Sequence, residues 1–360
     1  MNGGSRRIVQ LVPAFHREDA IGQHIRTVHD YFQAVGWESF IVALEADPAL
    51  RSVVTPWSPD LARQWAGSVW VLHYALPSVL TEFFKQAPGR RVLVYHNITP
   101  PEYFLPWSAE LAFLAQAGRR ELEGLRGFTD WAVADSHFNA EELRALGYEA
   151  VDVLPILVDW GRYPAPSPLA ASTYIDPFYD YWLFVGRVVP NKKVEALIRL
   201  VFWYRKFYRS STRLLVVGKL NNTPRYVRWL YELRAALHLT AQDVAFLGPL
   251  PYEDLAACYA HASLFITLSD HEGFCLPVLE AMYYGAPVVA YAAGALPETV
   301  GPAGALVYTR DPVVLSEWLD TNIERYRQDP SYRMTQQEHL QKFEAGPYLI
   351  RFREQLEVLA

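Results

Sequence analysis

Ser269-Asp270-His271-Glu272-Gly273-Phe274-Cys275-Leu276-Pro277-Val278-Leu279-Glu280-Ala281-Met282 follows directly on the apolar run Leu264-Phe265-Ile266-Thr267-Leu268. The run reads as a buried strand, the residues around Gly273 as a loop, and Pro277 suits the first turn of a helix, so the pieces make one strand–loop–helix unit. A helix start of this kind leaves N–H groups unpaired and turns the positive end of its dipole outward, which favours an anion. Glu272 and Glu280 bracket that start, with seven residues between them. Ionised carboxylates only accept hydrogen bonds, as sugar hydroxyls require. The stretch therefore predicts a sugar-phosphate site on an α/β scaffold.

The same rhythm runs outward in both directions. In the second half, strands are expected at Leu183-Val185, Leu214-Val217, Val244-Leu247, Leu264-Thr267, Pro287-Tyr291 and Ala305-Tyr308. In the first half they are expected at Ile8-Pro13, Ser39-Ala43, Val69-Leu72, Val92-Tyr95, Trp131-Ala134 and Val151-Leu154, with helical patterns such as Gln23-Val35 and Glu141-Leu146 between them. Alternation of this kind builds a parallel sheet covered on both faces. Between the halves, Asp159 to Tyr181 carries Pro164, Pro166, Pro168 and Pro177 and reads as a linker. The expected domains are residues 1–165, residues 166–345, and a final helix in 346–360, after Gly346-Pro347, that returns to the first domain. Two doubly wound domains place ligands at the carboxyl ends of their strands and in the cleft between them.

Composition excludes several classes. With 360 residues, 51% of them hydrophobic, the chain can bury two cores and is not disordered. A formal charge of -6 argues against a general nucleic-acid binder, so a phosphate partner must be met by local cations. Cys258 and Cys275 are the only cysteines, and no Cys/His spacing resembles a zinc site, which fits a reducing cytoplasm. Met1 to Arg7 precede an apolar stretch too short for a signal peptide, and no run has the length of a membrane-spanning helix. The expected location is the cytoplasm, with peripheral attachment at the inner face of the membrane left open.

Phe184-Val185-Gly186-Arg187-Val188-Val189-Pro190-Asn191-Lys192-Lys193 is a strand passing through a loop into the amphipathic helix Val194-Phe207. Arg187 offers a planar fork and Lys192 a compact charge, a pair suited to holding a diphosphate as it leaves. Taken alone, a solvated helix start explains both cations equally well, and Glu272 and Glu280 taken alone read as a loop acid and a helix-capping acid.

The combination resembles the retaining glycosyltransferases of family four, the glycosyl transferases group 1, which have the GT-B fold. The best match runs from Leu183 to about Gly301 and includes Phe246-Leu247-Gly248-Pro249-Leu250 and Gly285-Ala286-Pro287-Val288-Val289-Ala290. Weaker similarity in the first half covers Tyr95-His96-Asn97, Val133-Ala134-Asp135-Ser136 and Leu154-Pro155-Ile156-Leu157-Val158-Asp159. The resemblance implies two Rossmann-like domains facing across a cleft. It further implies that Gly186, Arg187 and Lys192 hold the donor diphosphate, that Glu280 accepts from ribose hydroxyls, and that Glu272 contacts the transferred sugar. Gly273, Phe274, Cys275 and Leu276 would cradle sugar and phosphate, with the base near Gly248 and Leu250. His96 matches a histidine that lies beside the reacting sugar in relatives; the alternative is a satisfied core histidine.

The match has departures. Relatives carry paired glycines after the first strand, whereas Asp19-Ala20-Ile21-Gly22 offers Gly22 alone on the acceptor side. Cys275 stands where many relatives have glycine. No Asp-x-Asp occurs, so no metal is expected. The resulting expectation is hexosyl transfer from a nucleoside diphosphate sugar, needing no cofactor, to a glycan or lipid-linked acceptor of polysaccharide or cell-envelope synthesis. The rivals are a phosphorylase or epimerase on the same fold, and a non-catalytic nucleotide-sugar-binding or scaffold protein. Mixed aromatic and basic stretches at Val201-Arg209 and Arg225-Leu230 suit anionic lipid headgroups, although core-facing stripes with solvated cations explain them more simply.

Overall fold

The computed structural model describes residues 6–16 and 19–359. The leader residues Met1 to Ser5 considered above lie outside them. The chain divides into two compact units: residues 1–101, 110–160 and 343–360 form one, and residues 102–109 and 161–342 form the other. The chain passes between the units at 160–161 and again at 342–343, before the final helix. A short piece of the first half, residues 102–109, belongs to the second unit, where Trp107 packs against Tyr226 and Trp229.

In the first unit the strands are β1 (Arg7–Phe15), β2 (Glu38–Ala46), β3 (Val54–Pro56), β4 (Ser68–Tyr74), β5 (Gly89–Tyr95), β6 (Trp131–Ala134) and β7 (Val151–Val153). They pair in the order β3-β2-β1-β4-β5-β6-β7, every pair parallel. Burial on both faces is why β4, Ser-Val-Trp-Val-Leu-His-Tyr, is buried along its whole length rather than alternating. Helix Ala20–Ala34 covers one face through Val28 and Phe32, and helix Ala345–Leu359 adds Leu349, Phe352 and Leu356 to the same cluster.

In the second unit β8 (Asp180–Val185), β9 (Thr212–Val217), β10 (Val244–Gly248), β11 (Leu264–Thr267), β12 (Val288–Tyr291) and β13 (Ala305–Val307) pair in the order β10-β9-β8-β11-β12-β13, again all parallel. The order reverses between β8 and β11, and in the first unit between β1 and β4. At such a switch point the connections leave to opposite faces, which opens a crevice at the carboxyl edge. The proline-rich stretch is not wholly a linker: Pro168 opens helix Pro168–Tyr174, with Ser167 as N-cap accepting from Ala170 N at 3.2 Å. Proline at the first helical position has no N–H to lose, so the residue read as a breaker is a starter.

Candidate active site

Two loops meet at the switch point of the second unit. One follows β8 and carries Gly186, Arg187 and Lys192; the other follows β11 and carries Ser269, Glu272 and Cys275. Asn191 fastens them together, its carbonyl accepting from Asp270 N at 2.8 Å and its Nδ2 donating to His271 O at 3.0 Å. Lys193, left-handed at φ 53°, directs its ammonium to Asp270 at 3.0 Å. Arg310 braces the second loop from behind, donating to Leu268 O at 2.8 Å and pairing with Asp270.

Within this frame Lys192 Nζ and Glu272 Oε2 form an ion pair at 2.5 Å, and Ser269 Oγ donates to Glu272 Oε1 at 2.8 Å. Ser269 is held in turn by Thr267 Oγ1 at 2.9 Å. Glu272 is therefore fixed in orientation yet keeps acceptor sites on both oxygens, since an ionised carboxylate has about four. Its carbonyl is approached so closely by Gly294 that a Cβ there would lie 2.5 Å away, and Ala295 N donates to it at 2.9 Å.

Helix Leu276–Tyr284 begins beside this pair. Its N-cap, Cys275, is left-handed at φ 75° and gives no side-chain cap. Burial first, then the Glu272 charge, pushes the thiol of the half-buried Cys275 well above its ordinary range, which keeps it protonated rather than a thiolate nucleophile. Gly273 is partly exposed, while Phe274 and Leu276 are buried, and Phe274 O accepts from Thr299 Oγ1 at 2.6 Å. Across the neighbouring strands, Gly186, Gly218 and Gly248 form a bare backbone edge. Gly186 N donates to Val217 O and Gly218 N to Gly248 O, each at 2.9 Å, and all three have positive φ. No atom lies within 4 Å of a Cβ built on Gly248, so the edge there is open; Leu250 is half-buried beyond it. Arg187 is exposed at the mouth of the β8 loop.

Glu280 lies one turn into the helix and is buried. Tyr163 and Tyr252 donate to its Oε1 at 3.0 and 2.6 Å, and Tyr259 donates to Oε2 at 2.7 Å. Burial raises its pKa above the ordinary glutamate value, and the three hydroxyls oppose that rise.

The first unit carries a second polar cluster at its own carboxyl edge. Asp135 contacts His96 Nδ1 at 2.9 Å, His96 Nε2 meets His73 Nδ1 at 2.9 Å, His73 Nε2 meets Gln10 Oε1 at 3.0 Å, and Gln10 Nε2 donates to Ile25 O at 3.1 Å. Hydrogen-bond polarity can be followed along this chain. The Ile25 carbonyl only accepts, which fixes the Gln10 amide; His73 must then donate to Gln10 and accept from His96. His96 therefore spends its Nε2 proton on His73, and a further proton must lie between His96 Nδ1 and Asp135. The His96 side chain is 1% exposed, its ring held between Asp135 and His73. At Gly22 a Cβ would lie 1.8 Å from His16 O, and the Gly22 N–H donates to Asp19 Oδ1, the cap of helix Ala20–Ala34.

The sequence stretches quoted above contained Ser269, Asn191 and Asp135, whose polar character at strand ends was a usable signal. Tyr163, Tyr252 and Tyr259 gave none, being scattered aromatic residues in a chain with 22 tyrosines. Among the described residues no group of three or more His, Cys, Asp or Glu is arranged to hold a metal ion. No helix among them is long and apolar enough to cross a membrane.

Comparison with known proteins agrees with this fold. Residues 174–337 match the family described as glycosyl transferases group 1. The O-antigen chain mannosyltransferase B of Escherichia coli is 31% identical over 176 residues, 48% of this chain and 43% of its own length. A D-inositol 3-phosphate glycosyltransferase of Geodermatophilus obscurus is 34% identical over 184 residues, 49% of this chain and 39% of its own. The chain thus spans about two fifths of the length of these curated relatives. Among solved structures, Anabaena HepE in complex with UDP and glucose aligns with a TM-score of 0.79 at 19% identity, covering 98% of this chain and 100% of that one. Sucrose-phosphate synthase from Thermosynechococcus elongatus aligns at 0.73 and 18%, covering 98% and 99%. Residues 174–337 are thus similar to the glycosyl transferases group 1 family, on a chain whose fold is GT-B.

Proposed function

We propose that this chain moves a hexosyl group from a nucleoside diphosphate sugar to a hydroxyl of a glycan or lipid-linked acceptor, with retention at the anomeric carbon and without a metal ion. The observation that carries the proposal is the joining of Lys192, Ser269 and Glu272 at the switch point of the second unit, beside the uncapped start of helix Leu276–Tyr284. As the bond from the anomeric carbon to the diphosphate breaks, its electrons pass to the phosphate oxygen. Lys192, Arg187 and the helix N–H groups meet that charge with fixed positive groups. Glu272 accepts from sugar hydroxyls and steadies the electron-poor ring. The acceptor oxygen bonds to the same face, and its proton goes to the departing phosphate oxygen. Glu280 holds the ribose. His96, whose ring is committed to Asp135 and His73, shapes the first unit's edge and is not assigned the proton transfer.

HepE is held with UDP and glucose, so UDP is the first nucleotide to test. The name of the O-antigen chain mannosyltransferase supports an acceptor of the polysaccharide or cell-envelope kind, while that of the D-inositol 3-phosphate glycosyltransferase points to a small phosphorylated polyol; the reaction is proposed to run in the cytoplasm or at the inner membrane face.

In thermal unfolding with UDP, GDP, ADP and dTDP in the presence of a chelator, one nucleotide at a hundred times its Kd should add about 2.7 kcal/mol to stability. No shift from any of them would remove the donor site. Lys192→Ala and Arg187→Ala should each lower kcat roughly a hundredfold, about 3 kcal/mol in the transition state. Glu280→Ala should instead raise the donor KM, by about 1.5 to 3 kcal/mol in binding. Full activity of the cation variants at saturating donor would refute the clamp.

A further inference from the structure

Glu280 is surrounded in an unusual way for a carboxylate that must receive a ligand. Its residue exposure is 5%, and among the described residues no cation pairs with it. Three phenol hydroxyls stand in the place of a cation. Two of them, from Tyr163 and Tyr252, converge on Oε1, and Tyr259 takes Oε2. The rings hold one another: Tyr163 packs edge-on against Tyr252 with centroids 5.4 Å apart, and Tyr259 stacks on Tyr284 at 5.7 Å, whose hydroxyl donates to Pro164 O at 2.8 Å. The cage is thus built from helix Tyr252–His261, helix Leu276–Tyr284 and the residues that open the second unit.

Counting acceptor sites gives the consequence. A carboxylate has about four, two on each oxygen. Oε1 has spent both and Oε2 has spent one. A single site remains, on Oε2. A ribose presents two neighbouring hydroxyls, and an uncaged carboxylate could accept from both at once.

We infer that the Tyr163, Tyr252 and Tyr259 cage makes Glu280 a one-hydroxyl reader of the donor's ribose, with the three tyrosines as positioning residues that set which hydroxyl is read. The inference rests on the assignment of Glu280 to the ribose given above. Tyr259 is the decisive member, because it shares Oε2 with the remaining site and is itself buried.

The test uses the full chain and calorimetric titration with UDP, 2′-deoxy-UDP and 3′-deoxy-UDP, or the same three forms of whichever nucleoside diphosphate stabilises the chain. One deoxy form should bind tenfold or more weaker than the parent, the size of a lost hydrogen bond to a charged group, and the other within about threefold. Tyr259→Phe keeps the ring, frees a second site on Oε2, and should extend the tenfold penalty to the other deoxy form. Equal penalties for both forms in the native chain would overturn the inference, as would an unchanged pattern in Tyr259→Phe. Glu280→Gln separates the two levels of the argument: if it leaves parent nucleotide binding unchanged, the ribose assignment fails, and if it weakens binding while the deoxy pattern is equal, only the cage reading fails. Circular dichroism and the melting curve of Tyr259→Phe confirm that the variant is folded before its titration is read.

Discussion

At the scale of single residues, the bare backbone edge of the second unit is the most exacting feature. Gly218 has φ 135°, and a Cβ on it would lie 2.0 Å from Gly186 O, a backbone atom that cannot swing aside. Only glycine lets β8 and β9 end side by side with their carbonyls this close. Gly218→Ala should cost about 1 to 3 kcal/mol from the dihedral alone, with the clash added, and lower Tm by roughly 5 to 10 °C. Differential scanning calorimetry checks this; an unchanged Tm would mean that the edge is free to move. Cys275 accepts a comparable constraint without glycine, at φ 75°.

At the scale of elements, parallel strands of the first unit bring Gln10, His73, His96 and Asp135 to adjacent positions, from β1, β4 and the turns after β5 and β6. Residues more than a hundred positions apart in sequence thus form one hydrogen-bonded row. His24, on helix Ala20–Ala34, packs against it with ring centroids 5.6 Å from His73 and 5.8 Å from His96. Burial, together with the charge of His96, lowers the His24 pKa to about 3, and burial lowers that of His73 as well. The unfolded chain protonates both rings near 6.5, so below that pH it binds protons that the folded chain refuses, down to about 3 for His24. Stability from this source is complete above pH 6.5 and falls as the pH drops. Each such ring contributes a slope of about 1.4 kcal/mol per pH unit. His24→Asn, which can still accept from Leu157 N, should flatten the acid limb of the unfolding free energy by about one proton. Denaturant titrations between pH 7.5 and 4.5 measure that slope, and an identical slope in the variant would dismiss His24 as its source.

At the scale of the whole molecule, the two units are separate cores drawn from interrupted stretches of chain. Helix Ala345–Leu359 completes the first: Phe352 meets Phe32 and Trp131 with centroids 6.1 and 5.4 Å away, and Leu356 is fully buried. Phe352→Ala should cost about 3 to 5 kcal/mol through the cavity it leaves, lowering the unfolding temperature of the first unit by roughly 10 °C. The proposed nucleotide contacts are all in the second unit, so UDP affinity should stay within about threefold. Titration of the folded variant checks this, and a larger loss would tie nucleotide binding to the first core.

What the sequence determined by itself was whatever depends on local order. Apolar runs of strand length, the loop at Gly273 and the proline at the helix start were enough for two parallel sheets, because a buried strand and an amphipathic helix each leave their period in the chain. The strand Trp131–Ala134 and the helix Val194–Phe207 were legible to the residue. The short edge strand Val54–Pro56 was not, since three residues carry no period. Helix Pro168–Tyr174 was hidden because proline begins helices as readily as it ends them. The spacing of Glu272 and Glu280 marked a site, yet their unlike surroundings belong to tertiary structure alone. Glu272 meets a lysine 80 positions away, and Glu280 meets Tyr163 at a separation of 117. A side chain's partner across such distances is set by which strand lies next to which, and that order is decided only when the sheet assembles.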